Sequence, residues 1–322
     1  MKRSFLPSIA ALACFGMATA LLPVQAQDAY PSKPITIIVG FSAGGGTDVM
    51  ARTAAPFIEK YLGNGASVVI KNVPGASGQI GITELAKAKP DGYTLGTFNL
   101  PGMMARTVDR KSQYSHTSFT YIANVVNDPN VIVTAKASGI DSIQKLVAEA
   151  KKQNGAMTVG MSSLGGDDHF ALLKLQKMSQ ANFNIVPFKG SAPARTAVMG
   201  GHVNMGIFNI SEVAKFQGEL NVLGIAQDQR SSFATNVPTF KEQGVNLING
   251  SLRGIVAPKG LPAAIEAKLI QAFEKSAKDP EFIKAMEATA NPVEMVTGKA
   301  FESLTKDYYE LAKQTWETQP WK

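Results

Sequence analysis

Ile35-Thr36-Ile37-Ile38-Val39-Gly40-Phe41-Ser42-Ala43-Gly44-Gly45-Gly46-Thr47-Asp48 is the stretch whose reading decides the fold class. The β-branched run Ile35 to Val39 predicts a buried strand. Small residues follow, and from Thr47 the spacing changes: Val49, Met50, Phe57, Ile58, Tyr61 and Leu62 recur with helical period as far as Gly63. A strand that passes through a glycine loop directly into a helix is the building unit of α/β folds with largely parallel sheets.

The alternation continues outward from there. Ser67 to Lys71 reads as a strand ending at Pro74-Gly75-Ala76-Ser77-Gly78, a short helix runs to Ala88, and Tyr93 to Phe98 is the next strand. A second series begins near Asn130, with strands at Val131 to Val133, Met157 to Met161, Phe183 to Val186 and Val203 to Phe208. Helices at Ser142 to Gln153, Asp168 to Lys177 and Ala192 to Met199 lie between them. Strands at Val222 to Ala226 and Gly254 to Ala257 precede three closing helices, from Pro262, Pro280 and Lys299. Two successive series of this kind predict two similar lobes. Residues 27–124 with 228–322 form lobe I and residues 125–227 form lobe II, with crossovers near residues 125 and 227.

The beginning of the chain reads as an address. Met1-Lys2-Arg3, the apolar stretch Ile9 to Leu22 and the small-residue site Val24-Gln25-Ala26 predict a signal peptide over residues 1–26 and a periplasmic mature protein. Cys14 is the single cysteine and falls inside it, so disulfides, thiol nucleophiles and cysteine-ligated metals drop out. Without Lys2 and Arg3, 30 basic residues stand against 25 acidic ones. They are scattered, the longest basic runs being Arg110-Lys111 and Lys151-Lys152, which speaks against nucleic acid as a partner. A mild positive excess suits small anions.

Three glycines ahead of a helix let backbone amides and the helix dipole face an anion, the alternative being a tight turn capped by Thr47. No third fingerprint glycine and no Gly-Lys-Ser/Thr is present, so neither a dinucleotide nor a nucleotide cofactor follows, and no cofactor is expected. The second series repeats the arrangement in Ser162-Ser163-Leu164-Gly165-Gly166-Asp167-Asp168-His169. Its two carboxylates either cap the helix or meet a hydroxyl, amide or ammonium group of a ligand. Ser191, in Phe188-Lys189-Gly190-Ser191-Ala192-Pro193, is either an N-cap or a ligand contact. His116, His169 and His202 show no metal-ligand spacing, and no Gly-x-Ser-x-Gly elbow occurs.

These stretches resemble a family. Tyr30-Pro31-Ser32-Lys33-Pro34-Ile35, Gly44 to Asp48, Asn72-Val73-Pro74-Gly75-Ala76-Ser77-Gly78-Gln79-Ile80-Gly81 and Lys89-Pro90-Asp91-Gly92-Tyr93-Thr94-Leu95 look like the Bug receptors, the substrate-binding components of tripartite tricarboxylate transporters. Pro187 to Ala194 and Ala257-Pro258-Lys259-Gly260-Leu261-Pro262 extend the likeness over nearly the whole mature chain. The resemblance implies a periplasmic-binding fold of two α/β lobes joined by two crossover strands. It also implies a pincer on a ligand carboxylate formed by Phe41 to Asp48 and Ser162 to His169, with Ser191 and Asn209 completing the pocket. Asp167-Asp168, Asn209 and Arg253 depart from the residues many members carry there. The expectation is therefore a monomeric receptor, not an enzyme, for a small carboxylate bearing a hydroxyl or nitrogen group that Asp168 meets. It would deliver this ligand to the membrane subunits of a tripartite transporter. The competing readings are a periplasmic receptor for a sensor protein and a hydrolase or lyase built on Asp168 and His169.

Overall fold

The computed structural model describes residues 1, 30–162, 164–318 and 320–321; the expected signal segment and Ser163 lie outside the described residues. In chain order the strands are β1 (Ile35–Val39), β2 (Val68–Asn72), β3 (Thr94–Leu100), β4 (Phe119–Ala135), β5 (Thr158–Met161), β6 (Asn184–Pro187), β7 (Met205–Asn209), β8 (Leu220–Ile225), β9 (Gly250–Pro258) and β10 (Val293–Thr297). The helices are α1 (Gly46–Leu62), α2 (Gln79–Ala86), α3 (Gly102–Asp109), α4 (Ile143–Lys152), α5 (Asp167–Ser179), α6 (Ser191–Met199), α7 (Ile210–Val213), α8 (Ala263–Ser276), α9 (Pro280–Ala288) and α10 (Gly298–Thr318).

β1 pairs in parallel with β2 and β3, and β5 pairs in parallel with β6 and β7, so each half has its own parallel set. The long strand β4 joins them. Its first part, Phe119 to Pro129, runs antiparallel to β9, and its last part, Asn130 to Ala135, runs antiparallel to β7 and β8. The chain therefore crosses from one half to the other at Pro129-Asn130, inside one strand. The Asn130 amide donates to Asn249, the Asn249 amide to Ala226, and the Ala226 amide to Asn130, each at 2.8 to 3.0 Å. These bonds tie the outgoing and returning segments together.

Each half buries apolar side chains on both faces of its sheet, which is why its strands read as near-continuous apolar runs. Ile35, Ile37, Leu95 and Phe273 lie on one face of the first half, and Ile38, Phe98 and Phe301 on the other. In the second half Val159, Met161 and Ile207 oppose Val131, Val133 and Phe208. The segment 228–247, expected with lobe I, packs with the second half instead. Ala234, Val237, Phe240 and Leu247 are buried in its clusters, and Ile225 bridges Thr239. The polar run Asp228 to Ser232 resembles a linker in composition but is a surface loop between two pieces of the same core.

Three elements escape the sequence pattern, α3, α7 and β10. Helix α3 is short, and five of its eight residues, Gly102 to Arg106, are buried. The C-terminal Trp321 packs beside it and stacks edge-on against Phe170 of α5, with its Nε1 donating to Asp109 at 3.0 Å. The chain end thus touches both halves.

Candidate functional site

Where the two halves face each other, the glycine loop before α1 rests on the loop before α6. The Ser42 hydroxyl donates to the Lys189 carbonyl at 2.9 Å, and a Cβ on Gly45 would come within 3.0 Å of Ser191 Oγ. Further in, the Gly46 amide donates to Glu212 Oε1 at 3.3 Å. The pocket beside these contacts is narrow, about 30 Å³, and both loops line it. Phe41, Gly45, Gly46 and Thr47 come from one side, and Ser162, Gly166, Asp167, Ser191 and Asn209 from the other. Asn99, Gly102, Arg106, Glu212, Ser251 and Arg253 complete the wall.

Of the described residues expected there, the others do not line the pocket. Gly44 and Gly165 hold the loops, both with left-handed backbone (φ 76° and 70°). Ser42 lies on the rim and Ala43 is outside the wall. Asp48 is bound to its own loop: its Oδ2 accepts from the Gly44 amide at 2.9 Å, and Arg52 and Asn72 also donate to its carboxylate. Burial pushes this carboxyl up, but those donors and the Arg52 charge outweigh it and hold the group below its ordinary value.

Asp168, expected to meet the ligand, does not line the pocket. At 3% exposure it accepts from the Ser162 amide and hydroxyl at 2.7 and 2.8 Å and from the His169 amide at 2.9 Å. These bonds shape the loop rather than the pocket, and Asp167 takes the place in the wall. Burial, then the neighbouring Asp167 charge, push the Asp168 carboxyl up to about 7. His169 is equally structural. Its Nδ1 accepts from the Gly165 amide at 2.9 Å, which requires the neutral ring, and burial followed by the Arg106 charge lowers it to about 4. The Ser162 hydroxyl is thus given to Asp168 and His169 Nδ1 is occupied by a backbone amide. Among the described residues no group of three His, Cys, Asp or Glu side chains is placed to hold a metal ion.

Beneath the Gly46 side lies a buried ion cluster. Arg253, 1% exposed, donates to Asp128, to Glu212 at 3.0 Å and to Asn209 Oδ1 at 2.8 Å. Burial disfavours its charge, but Asp128, Glu212 and Asp167 together outweigh that and the guanidinium stays ionised. Burial pushes the Asp128 carboxyl up to about 6 in spite of its pairing to Arg253. Asn209 caps α7 in a reciprocal box with Glu212 and also donates to Asp167 Oδ2 at 2.9 Å, where Asn130 donates at 2.7 Å. Burial raises the Asp167 carboxyl, and these two amides oppose the rise.

Sequence reasoning missed Arg106, Glu212, Asp128, Asn99 and Ser251. Glu212 carried a signal, since Asn209-Ile210-Ser211-Glu212 has capping-box spacing. Arg106 lies on the helix that was not expected, and nothing local to it marks it. A larger cavity, about 570 Å³, lies beyond the crossover, lined by Phe170, Leu173, Ile248 and Leu311 among others. The narrow pocket is the one that both glycine loops border and where Arg106, Arg253, Asp167 and Glu212 converge.

Two α/β lobes joined by crossover strands, facing one another across a polar pocket, define a solute-binding protein of the periplasmic type. The chain belongs to the tripartite tricarboxylate transporter receptor family, whose pattern matches residues 50–314. It is 33% identical over 278 residues to the BugT protein of Bordetella pertussis, covering 84% of either chain. It is 32% identical over 280 residues to a protein in the gbd 5' region of Cupriavidus necator, covering 86% of this chain and 84% of that one. A solved periplasmic transporter superposes with a TM-score of 0.86 at 30% identity, over 91% of this chain and 99% of that one. The R. palustris protein Rpa4515, solved with adipate, gives a TM-score of 0.81 at 27% identity, over 90% and 96%.

Proposed function

We propose that this protein is a periplasmic receptor that captures a small organic acid between its lobes and hands it to the membrane subunits of a tripartite tricarboxylate-type transporter, without chemistry on the ligand. One observation carries the reading: two glycine loops from opposite halves, each opening a helix of more than a dozen residues, border the same pocket. Helix N-termini attract carboxylates, and a ligand touching both lobes stabilises the closed arrangement by its differential affinity. The adipate held by Rpa4515 favours a carboxylate ligand here. In this proposal the lobes are residues 30–129 with 250–318, and residues 130–249. Phe41, Gly45, Gly46, Thr47, Ser162, Gly166, Asp167, Ser191 and Asn209 are the contact residues. Among the described residues no helix is long and apolar enough to cross a membrane.

Thermal-shift measurements against dicarboxylates, hydroxy acids, amino acids and aromatic acids test this. A ligand at a hundred times its Kd adds about 2.7 kcal/mol of stability, a shift of several degrees. A response to acids that is lost in Gly46→Val supports the site. Silence from every acid overturns the reading.

A further inference from the structure

The pocket wall holds a cation whose partner is missing from the protein itself. Arg106 is 1% exposed, and its Nε and Nη2 have no hydrogen-bond partner. Among the described residues no carboxylate lies within ion-pair distance of it, while Arg253 in the same wall is bound to Asp128 and Glu212. Desolvation works against the Arg106 charge and outweighs the support of the neighbouring Tyr114, Asp168 and Asp109 side chains, none of which pairs with it directly. The residue sits where Gly102 leaves room for it: a Cβ on Gly102 would come within 2.6 Å of Arg106 Nη1. Both residues line the pocket. A buried guanidinium with open donors in the wall of a cleft is matched by a planar carboxylate that accepts on two oxygens.

The same wall holds acceptors with nothing donating to them. Asn99 Oδ1 is buried and unpartnered, its amide nitrogen being spent on Thr47 Oγ1 at 2.8 Å. Asp167 receives its bonds from Asn130 and Asn209 on Oδ2, and among the described residues no hydrogen bond reaches Oδ1. A cation and an anion in one buried pocket, not paired with each other, are complementary to a molecule that carries both charges. A bare dicarboxylate satisfies Arg106 and is repelled by Asp167.

Resting on the organic-acid reading above, we infer that Arg106 binds the ligand's carboxylate and that Asp167, with Asn99, receives an ammonium group, so that the cleft selects a compact amino acid. The test uses two probe sets of constant skeleton, aspartate, malate and succinate, and alanine, lactate and propionate, titrated calorimetrically into the full-length exported protein. In at least one set the amino acid should bind tenfold or more tightly than the hydroxy acid and the plain acid. Arg106→Met should lose at least thirtyfold in affinity for it, with a ligand-free melting temperature equal to or above wild type, because an uncompensated buried charge has been removed. Arg106→Lys should recover part of the affinity, and Asp167→Asn should abolish the preference for the amino acid. Arg106→Met with wild-type affinity overturns the role of Arg106, as does a lowered melting temperature with affinity intact, which marks a structural residue. Should the Met variant fail to fold, Arg106→Gln carries the same two readouts. Plain or hydroxy acids that bind as tightly as the amino acid overturn the ligand class but leave the organic-acid reading standing. No response of the wild type to any of the six overturns the assignment; if other acids also fail, the organic-acid reading falls with it.

Discussion

The loops before α1 and α5 are built to one plan and differ at the three positions that open the helices. Each has a left-handed glycine, Gly44 or Gly165, whose amide donates to a side chain four residues on, Asp48 Oδ2 or His169 Nδ1, at 2.9 Å in both. Each then has a glycine N-cap, Gly45 or Gly166. At the next position they part: Gly46 stands opposite Asp167, and Thr47 opposite Asp168. A Cβ on Gly46 would lie 2.4 Å from Arg253 Nη1, so that loop brings bare backbone against a buried cation. The other loop projects a carboxylate. The same fold thus offers an amide surface backed by Arg253 from one lobe and an acidic one from the other, which is an asymmetric clamp.

The largest way to break this comparison is to remove the cation behind the first loop. Arg253→Met leaves Asp128 and Glu212 buried without a counter-charge, and should destabilise the protein by about 3–5 kcal/mol at pH 8. The loss should shrink at pH 5, because Asp128, already pushed up to about 6, takes up a proton and sheds its charge. Urea unfolding at both pH values checks it. A loss near zero at pH 8 would mean that the cluster does not hold the Gly46 loop in place.

How much of this was legible depended on whether the signal was local. Ile35 to Val39, the glycine loop and helix α1 announce themselves, because their burial and turn chemistry are written in consecutive residues. Both loops and Ser191 could be picked out for the same reason, whereas Asn209 enters only through the family resemblance. Arg253, Asp128 and Glu212 lie far apart in sequence and meet only through the antiparallel pairing of β4, β7 and β9, which no window of residues reveals. Arg106 sits on a helix of eight residues preceded by Pro101, too short for a clear period. Of the adjacent pair Asp167-Asp168, composition alone could not tell which faces the cleft. The helical turn decides it, since the first points to Asn130 and Asn209 and the second folds back on Ser162.

The pair Asp48 and His169 sharpens the comparison through pH. His169 is lowered from 6.5 to about 4, so between these values the unfolded chain binds a proton that the folded protein refuses. Its contribution is therefore complete above pH 6.5 and lost as pH falls toward 4, to an extent of about 3 kcal/mol. Asp168, raised to about 7, works in the opposite sense over the acid range, because there the folded protein holds the extra proton. His169→Asn keeps an acceptor for the Gly165 amide and does not titrate. Its stability relative to wild type should rise by about 3 kcal/mol from pH 7 to pH 4, while Asp168 is common to both proteins and cancels. A difference that stays flat with pH would show that the ring is not held neutral by the loop, and the likeness to Asp48 would be one of shape only.

The smallest effect tests the shared part of the plan. Gly44 and Gly165 adopt nearly the same left-handed conformation, which costs a residue with a side chain about 1–2 kcal/mol. Alanine also loses less freedom on folding than glycine, worth about 0.4–1 kcal/mol in the other direction. The net penalty should be about 1 kcal/mol for Gly44→Ala, where a Cβ meets nothing within 4 Å. At Gly165 the Cβ would stand 3.3 Å from Trp321 Nε1, a contact closer than side chains normally make, so Gly165→Ala should be the more damaging of the two. If instead the two substitutions cost the same, Trp321 yields at no expense and the chain end is a loose cover over α3. If Gly165→Ala costs clearly more, the C-terminal tryptophan is a fixed part of the second loop, and the lobes are held together at the rim as well as at the pocket.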